Sequence, residues 1–138
     1  MGLQHMQIGE VANRTGLSLR TIRYYEEMGL VVPSARTTGG FRLYTESDVA
    51  RLMLIKRMKP LEFSLEEMNE LLGTLDALER PADGEAAADR SELHGRLSTF
   101  HEAALSRVAA IRGQLEVAEG FAEELRGEVV RQRDAARH

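Results

Sequence analysis

Over 91–130 the chain sets an apolar residue at every third or fourth position, a pattern that no small domain absorbs alone. Leu93, Leu97, Phe100, Ala104, Val108, Ile111, Leu115, Ala118, Ala122, Leu125 and Val129 advance in steps of four and three. The steps alternate except for two consecutive fours that meet at Ala104. Residues three and four apart share one side of an α-helix, so the run is a heptad seam with one stutter, where a coil unwinds locally. Such a helix is roughly 60 Å long at ~1.5 Å per residue and cannot bury its own stripe. The rest of the chain has no second long apolar stripe to fold back onto it. A partner helix is required, and the simplest is a second copy in a two-fold dimer. Leu93, Leu97, Phe100, Val108, Ile111, Leu115 and Leu125 are the expected dimerisation residues.

With 138 residues in all, the chain has room for one small domain ahead of the seam. The chain has no Cys, which excludes disulfides, thiolate zinc sites and cysteine redox switches. No apolar run approaches the ~20 residues of a membrane span, and the start lacks a signal-peptide profile, so a cytoplasmic protein with no membrane partner is expected. Aromatic residues make up only 5% and Trp is absent, so the core should be aliphatic and helical. Met1 to Met6 match no element and read as a frayed tail.

The formal charge of -4 conceals an asymmetry. Through Pro60 there are nine Lys or Arg against five Asp or Glu; beyond it, nine against seventeen. A basic front and an acidic back suit a nucleic-acid-binding head with a solvated tail.

Within the head, Ile8 to Ala12 reads as a short helix ended by Gly16. Ser18 is suited to cap a second helix through Glu26, since a short side-chain oxygen there satisfies a first-turn amide. Leu19, Ile22 and Glu26 fall along one stripe. Arg20, Thr21, Arg23 and Tyr24 occupy the remaining surface, with groups that bind phosphate oxygens and base edges. Tyr25 is ambiguous. Two helices across a Gly turn make a helix-turn-helix. The plainer alternative is an amphipathic helix with a solvated basic face. It does not explain the hairpin and the capped helices that come after this pair in the chain.

Gly29 and Pro33 stop the second helix. Gly39-Gly40 then marks a turn, after which Phe41 and Leu43 alternate with Arg42 and Tyr44. This predicts a hairpin wing with Phe41 and Leu43 on its apolar side and Arg42 and Tyr44 on its polar side. Arg36 and Arg42 would reach the duplex backbone beside the groove. Thr45 caps a third helix whose stripe is Val49, Leu52, Met53 and Ile55, and Pro60 closes it. Lys56, Arg57 and Lys59 form its basic end. They make either a second wing or a helix terminus whose cations the dipole favours. Ser64 and Glu67 form a capping box for a fourth helix burying Leu65, Met68, Leu71 and Leu72.

In order, Ile8-Gly9-Glu10-Val11-Ala12, Thr15-Gly16-Leu17-Ser18, Thr21-Ile22-Arg23-Tyr24-Tyr25-Glu26, Gly29-Leu30, Pro33, Arg36, Gly40, Arg42-Leu43-Tyr44, Asp48 and Phe63-Ser64-Leu65-Glu66-Glu67 resemble the MerR family of bacterial transcription regulators. The resemblance runs from Gln7 to about Leu72. One departure is Glu62, which stands where the family usually has glycine. The resemblance implies a mainly α protein: a winged helix-turn-helix DNA-binding head over 1–72, then a dimerisation helix in an antiparallel coiled coil. A linker over 73–90, the coiled-coil helix over 91–130 and a short polar tail over 131–138 complete the expected organisation. Ser18, Arg20, Thr21, Arg23, Tyr24, Arg36, Arg42, Tyr44 and Lys59 are the candidate DNA contacts. The implied partners are double-stranded promoter DNA, a second copy of the chain and, indirectly, RNA polymerase, with the protein at the nucleoid.

No cofactor is implied. Family members of this length commonly sense a metal or oxidant through cysteines, which are absent. His94 and His101 stand about 10 Å apart along a helix, too far to share a metal within one subunit. Leu105 and Phe121 broaden the seam toward a third partner, such as the head. A small-molecule effector held there, or no effector at all, both fit the residues. No nucleophile–base constellation or phosphate-cradling Gly loop supports an enzyme. An architectural, excisionase-like DNA-binding protein is the alternative; it shares the head but usually lacks the long helix.

Overall fold

The computed structural model describes residues 5–80 and 86–137. The chain divides into two units, Met1–Leu97 and Ser98–His138.

In the first unit, α1 (Ile8–Thr15) ends at Gly16, whose φ of 74° lets its N–H reach the Ala12 carbonyl at 2.9 Å. α2 (Leu19–Glu27) comes next, with the Ser18 hydroxyl accepting the Thr21 N–H at 3.0 Å. Gly29, at φ 78°, turns the chain back so that the Leu30 N–H bonds the Tyr25 carbonyl. β1 (Ala35–Arg36) and β2 (Arg42–Leu43) pair antiparallel, with Arg36 opposite Arg42 and Ala35 opposite Leu43. Of the two hairpin glycines only Gly40, at φ 85°, needs the left-handed conformation. Its N–H bonds the Thr37 carbonyl at 2.9 Å.

Two expectations change in this region. Met6 is no part of a frayed tail: it pairs with Tyr44 through two backbone hydrogen bonds of 2.8 Å and is buried. The wing departs from expectation at Phe41 and Tyr44, while Arg42 and Leu43 are both half-buried. Tyr44 is fully buried, whereas Phe41 is 67% exposed. Alternation separates two faces of a strand without saying which one meets the core. Pairing of Tyr44 with Met6 turns the Tyr44 ring inward.

α3 (Glu46–Met58) starts at a capping box in which Thr45 and Asp48 bond each other's backbone N–H. It buries Val49, Leu52, Ile55 and Met58, while Met53 is only half-buried. A 3-10 turn (Lys59–Leu61) leads to Glu62, which adopts φ 59°, ψ 32°. α4 (Leu65–Glu79) begins at the reciprocal Ser64–Glu67 bonds of 2.9 and 3.1 Å. Met68 and Leu72 are buried; Leu65 and Leu71 are half-buried.

The core gathers Val11, Ile22, Leu30, Val31, Tyr44, Leu52, Ile55 and Leu72, each essentially without exposure. Among the described residues most buried polar groups are hydrogen-bonded, as burial away from water demands; Glu26 Oε2 and Arg42 Nε face each other as an ion pair without completing a hydrogen bond. The Thr15 hydroxyl donates to the Val11 carbonyl at 2.8 Å, and the Ser34 hydroxyl donates to Asp48 at 2.6 Å. Arg51 donates through Nε to the Leu30 carbonyl at 2.6 Å and through Nη1 to Asp76 at 2.9 Å. It thereby ties the end of α2 to α3 and α4.

The stretch expected as a linker over 73–90 is helical at both ends. α4 persists to Glu79, and α5 (Ala86–Ala136) resumes at Ala86; 81–85 lie outside the described residues. At its other end α5 extends through most of the expected polar tail. In the second unit Leu105, Ile111, Leu115, Val117, Phe121, Leu125 and Val129 are all between 39% and 75% exposed. No described helix is long and apolar enough to cross a membrane.

Glu62 is the single described non-Gly residue at positive φ. A left-handed L-residue costs roughly 1–2 kcal/mol, of which the extra unfolded-state freedom of glycine returns part. Glu62→Gly should therefore raise stability by about 0.5–1 kcal/mol in urea denaturation, with an unchanged slope.

Candidate DNA-binding surface

α2 is held from several sides, and this fixes which residues it shows to solvent. Ile22 and Tyr25 are buried beneath it. From α3 the Lys56 ammonium donates to the Thr15 carbonyl at 2.8 Å, fastening the turn between α1 and α2. A Cβ on Gly16 would lie 2.9 Å from that same nitrogen. Lys56, at the basic end of α3, is thus a brace for the turn. The remaining surface of α2 carries Arg20, Arg23 and Tyr24, all exposed, with no hydrogen bond or ion pair among the described residues.

Ser18 is spent on structure. Its hydroxyl accepts the Thr21 N–H and donates to the Thr21 hydroxyl at 2.8 Å, so Ser18 and Thr21 form a capped pair at the helix start. Arg20, Thr21 and Tyr24 line a shallow groove of about 450 Å³ with Lys59, Phe63 and Leu65. Lys59 of the 3-10 turn and Arg20 of α2 thus share one groove. Tyr25 and Met68 also line it. The structure therefore brings four of the nine candidates together.

The wing candidates divide. Arg36 is exposed, with Nη1 3.5 Å from the Gly40 carbonyl, a contact at the limit of hydrogen bonding. Arg42 is 38% exposed, and its Nε lies 2.7 Å from Glu26 Oε2. Tyr44 is no DNA contact, contrary to expectation: it is fully buried and its phenol donates to Glu26 Oε1. A side chain wholly inside the head cannot reach a phosphate.

In the sequence Glu26 is only one member of a stripe. In the fold its side chain is 7% exposed. Burial pushes its carboxyl above the usual carboxylate range, against the pull of Arg42, Arg36 and Arg23. A signal for this exists in the sequence: an acid on the apolar stripe of a helix demands a cation or donor partner. The sequence does not say which residue supplies it.

A capped helix with outward arginines, a turn braced behind it and a basic hairpin beside it form a winged helix-turn-helix. Comparison with known proteins agrees. The model of the MerR HTH family regulatory proteins matches residues 6–75. The chain belongs to the MerR family of DNA-binding transcription regulators. It is 35% identical to the transcriptional regulator YfmP of Bacillus subtilis over 91% of each chain. With the mercuric resistance operon regulatory protein of Bacillus cereus it shares 47% identity over 70 residues, 51% of this chain but only 53% of that one. A solved structure of HiNmlR, a MerR family regulator lacking the sensor domain and bound to promoter DNA, superposes with a TM-score of 0.57. It is 20% identical and covers 88% of this chain and 92% of that one. At that identity the likeness concerns the fold. PbrR691 of Ralstonia metallidurans, solved with lead(II), gives a TM-score of 0.51 at 28% identity, over 80% of this chain and 82% of that one.

Removing the Tyr44 hydroxyl leaves a buried carboxylate oxygen without its donor, which costs about 1–3 kcal/mol. Tyr44→Phe should lower stability by that amount in denaturant titration. Arg20 and Arg23 should stay exposed on α2 in the folded variant, since neither touches the Tyr44 phenol.

Proposed function

We propose that the protein works as a homodimer on an inverted-repeat operator and activates transcription by distorting an overlong promoter spacer. The observation carrying this reading is the set of outward arginines on α2, with Lys59 in the same groove, beside the cationic wing. In that docking the α2 segment from Ser18 to Glu27 enters a major groove. Arg20, Thr21 and Arg23 face bases or phosphates there, while Tyr24, Lys59, Arg36 and Arg42 meet the backbone.

Dimerisation is supported by the uncovered stripe of the second unit. Covering Ile111, Leu115, Leu125 and Val129 in both copies recovers on the order of 8 kcal/mol, at roughly 1 kcal/mol for each half-exposed side chain. That lies within the ~4–15 kcal/mol that association opposes. The antiparallel arrangement and the spacer mechanism are what family membership implies. Two heads at a fixed separation suit distortion, because smooth bending of such a site costs about 1–6 kcal/mol and phosphate contacts offset it.

Three measurements test this. Arg23→Ala should weaken operator binding by about 1–3 kcal/mol, with specificity relaxed at one position if the guanidinium reads a base. Ile111→Asp, or Leu97→Asp at the head of the seam, sets a charge in the dimer contact. Light scattering should then give a monomer, with operator binding lost; a dimeric variant refutes the seam. In transcription in vitro, activation should vanish on templates whose spacer is cut to the optimal length. Persistent activation there would make the protein an ordinary recruiting activator.

A further inference from the structure

The wing carries a contradiction that its own residues do not resolve. Register places Arg36 directly opposite Arg42, and like charges facing each other across a hairpin are destabilising. Burial raises the Glu26 carboxyl, and both guanidiniums pull against that rise, Arg42 more than Arg36. Only Arg42 is gripped. The contact is an ion pair: Nε lies 2.7 Å from a carboxylate whose other oxygen accepts the Tyr44 phenol, and neither Nε nor Oε2 completes a hydrogen bond. Among the described residues no hydrogen bond from Nη1 or Nη2 of Arg42 is found. A guanidinium has five N–H donors in a rigid fork, so an ion pair at its inner nitrogen holds the group near Glu26 and leaves the outer nitrogens for a second acceptor. Arg42 is still 38% exposed and presents that outer edge to solvent.

We propose that Glu26 is a positioning residue for DNA binding: from within α2 it holds the Arg42 guanidinium so that its outer nitrogens meet a backbone phosphate beside the groove. The proposal rests on the docking given above. It assigns to an acid on the recognition helix a role opposite to its charge. Through space, a carboxylate near a phosphate backbone repels it, and its removal should tighten binding. As the holder of Arg42, its removal should weaken binding, because a long side chain freed from its anchor must be ordered again at the phosphate.

The two readings therefore differ in sign. The test uses the full chain and a duplex selected from a random-sequence pool by the unaltered protein, over a range of salt concentrations. Glu26→Gln should weaken binding roughly tenfold, the size of one hydrogen bond to a charged group. The slope of log affinity on log salt should become shallower by about one per subunit. Arg42→Ala should do the same, and the double variant should be no weaker than Arg42→Ala alone. Arg42→Lys retains the charge in a single ammonium that Glu26 occupies, and should also weaken binding. This second variant decides the matter should Glu26→Gln fold poorly. Binding by Glu26→Gln as tight as or tighter than the parent, with Arg42→Ala weakened, overturns the proposal and leaves the docking intact. Unchanged affinity in both Arg42→Ala and Arg23→Ala overturns the docking, and the proposal with it.

Discussion

At Tyr44 the N-terminal strand segment, the wing and the recognition helix meet. Its backbone pairs with Met6, its ring fills the centre of the head and its phenol reaches Glu26 on α2. A buried hydroxyl without an acceptor, or a buried carboxylate without a donor, costs free energy that the small head cannot easily lose. Each therefore constrains the other. The consequence is geometric: β2 cannot move away from α2 without exposing both groups and parting Arg42 from Glu26. The spacing between α2 and the wing is thus set by a polar contact inside the head.

Around that contact the remaining interactions aim α2. Ser18 satisfies its first turn, and Gly29 reverses the chain at its end. Lys56 braces the turn before it, and Arg51 draws Leu30 toward α3 and α4. Two cations that look from composition like DNA ligands are thus structural clamps. Among the described residues Arg20 and Arg23 of α2 make no hydrogen bond or ion pair. An interface built on a rigid element has less side-chain and backbone freedom to lose on binding, which favours specific contacts over loose electrostatic attraction.

α5 follows a different economy. From Ile111 onward its stripe is exposed, and Phe121 and Val117 are 61% and 75% exposed. Helix propensity explains why such a segment is helical: Ala, Leu, Glu and Arg dominate it. Propensity does not account for the spacing of its apolar residues, which makes sense only against a second surface.

Local chemistry was legible in the sequence wherever a residue's role depends on its near neighbours. Caps at Ser18, Thr45 and Ser64, the glycine stops at Gly16 and Gly29, the hairpin and the heptad spacing all act within a few positions. So does the exposure of Arg20, Arg23 and Tyr24, which helical periodicity dictates once Ile22 is buried. Glu62 shows the limit from the other side: its sequence position flagged an unusual turn, and only the fold put it at positive φ. Tertiary structure alone decided that Tyr44 of the wing turns inward, because the Met6 pairing that turns it joins residues far apart in the chain. It alone decided that Lys56 braces a turn, and that Glu26 rather than a phosphate takes the Tyr44 phenol and the Arg42 Nε. These choices depend on distances between separate elements, and a polar group selects its partner by proximity after the core has closed.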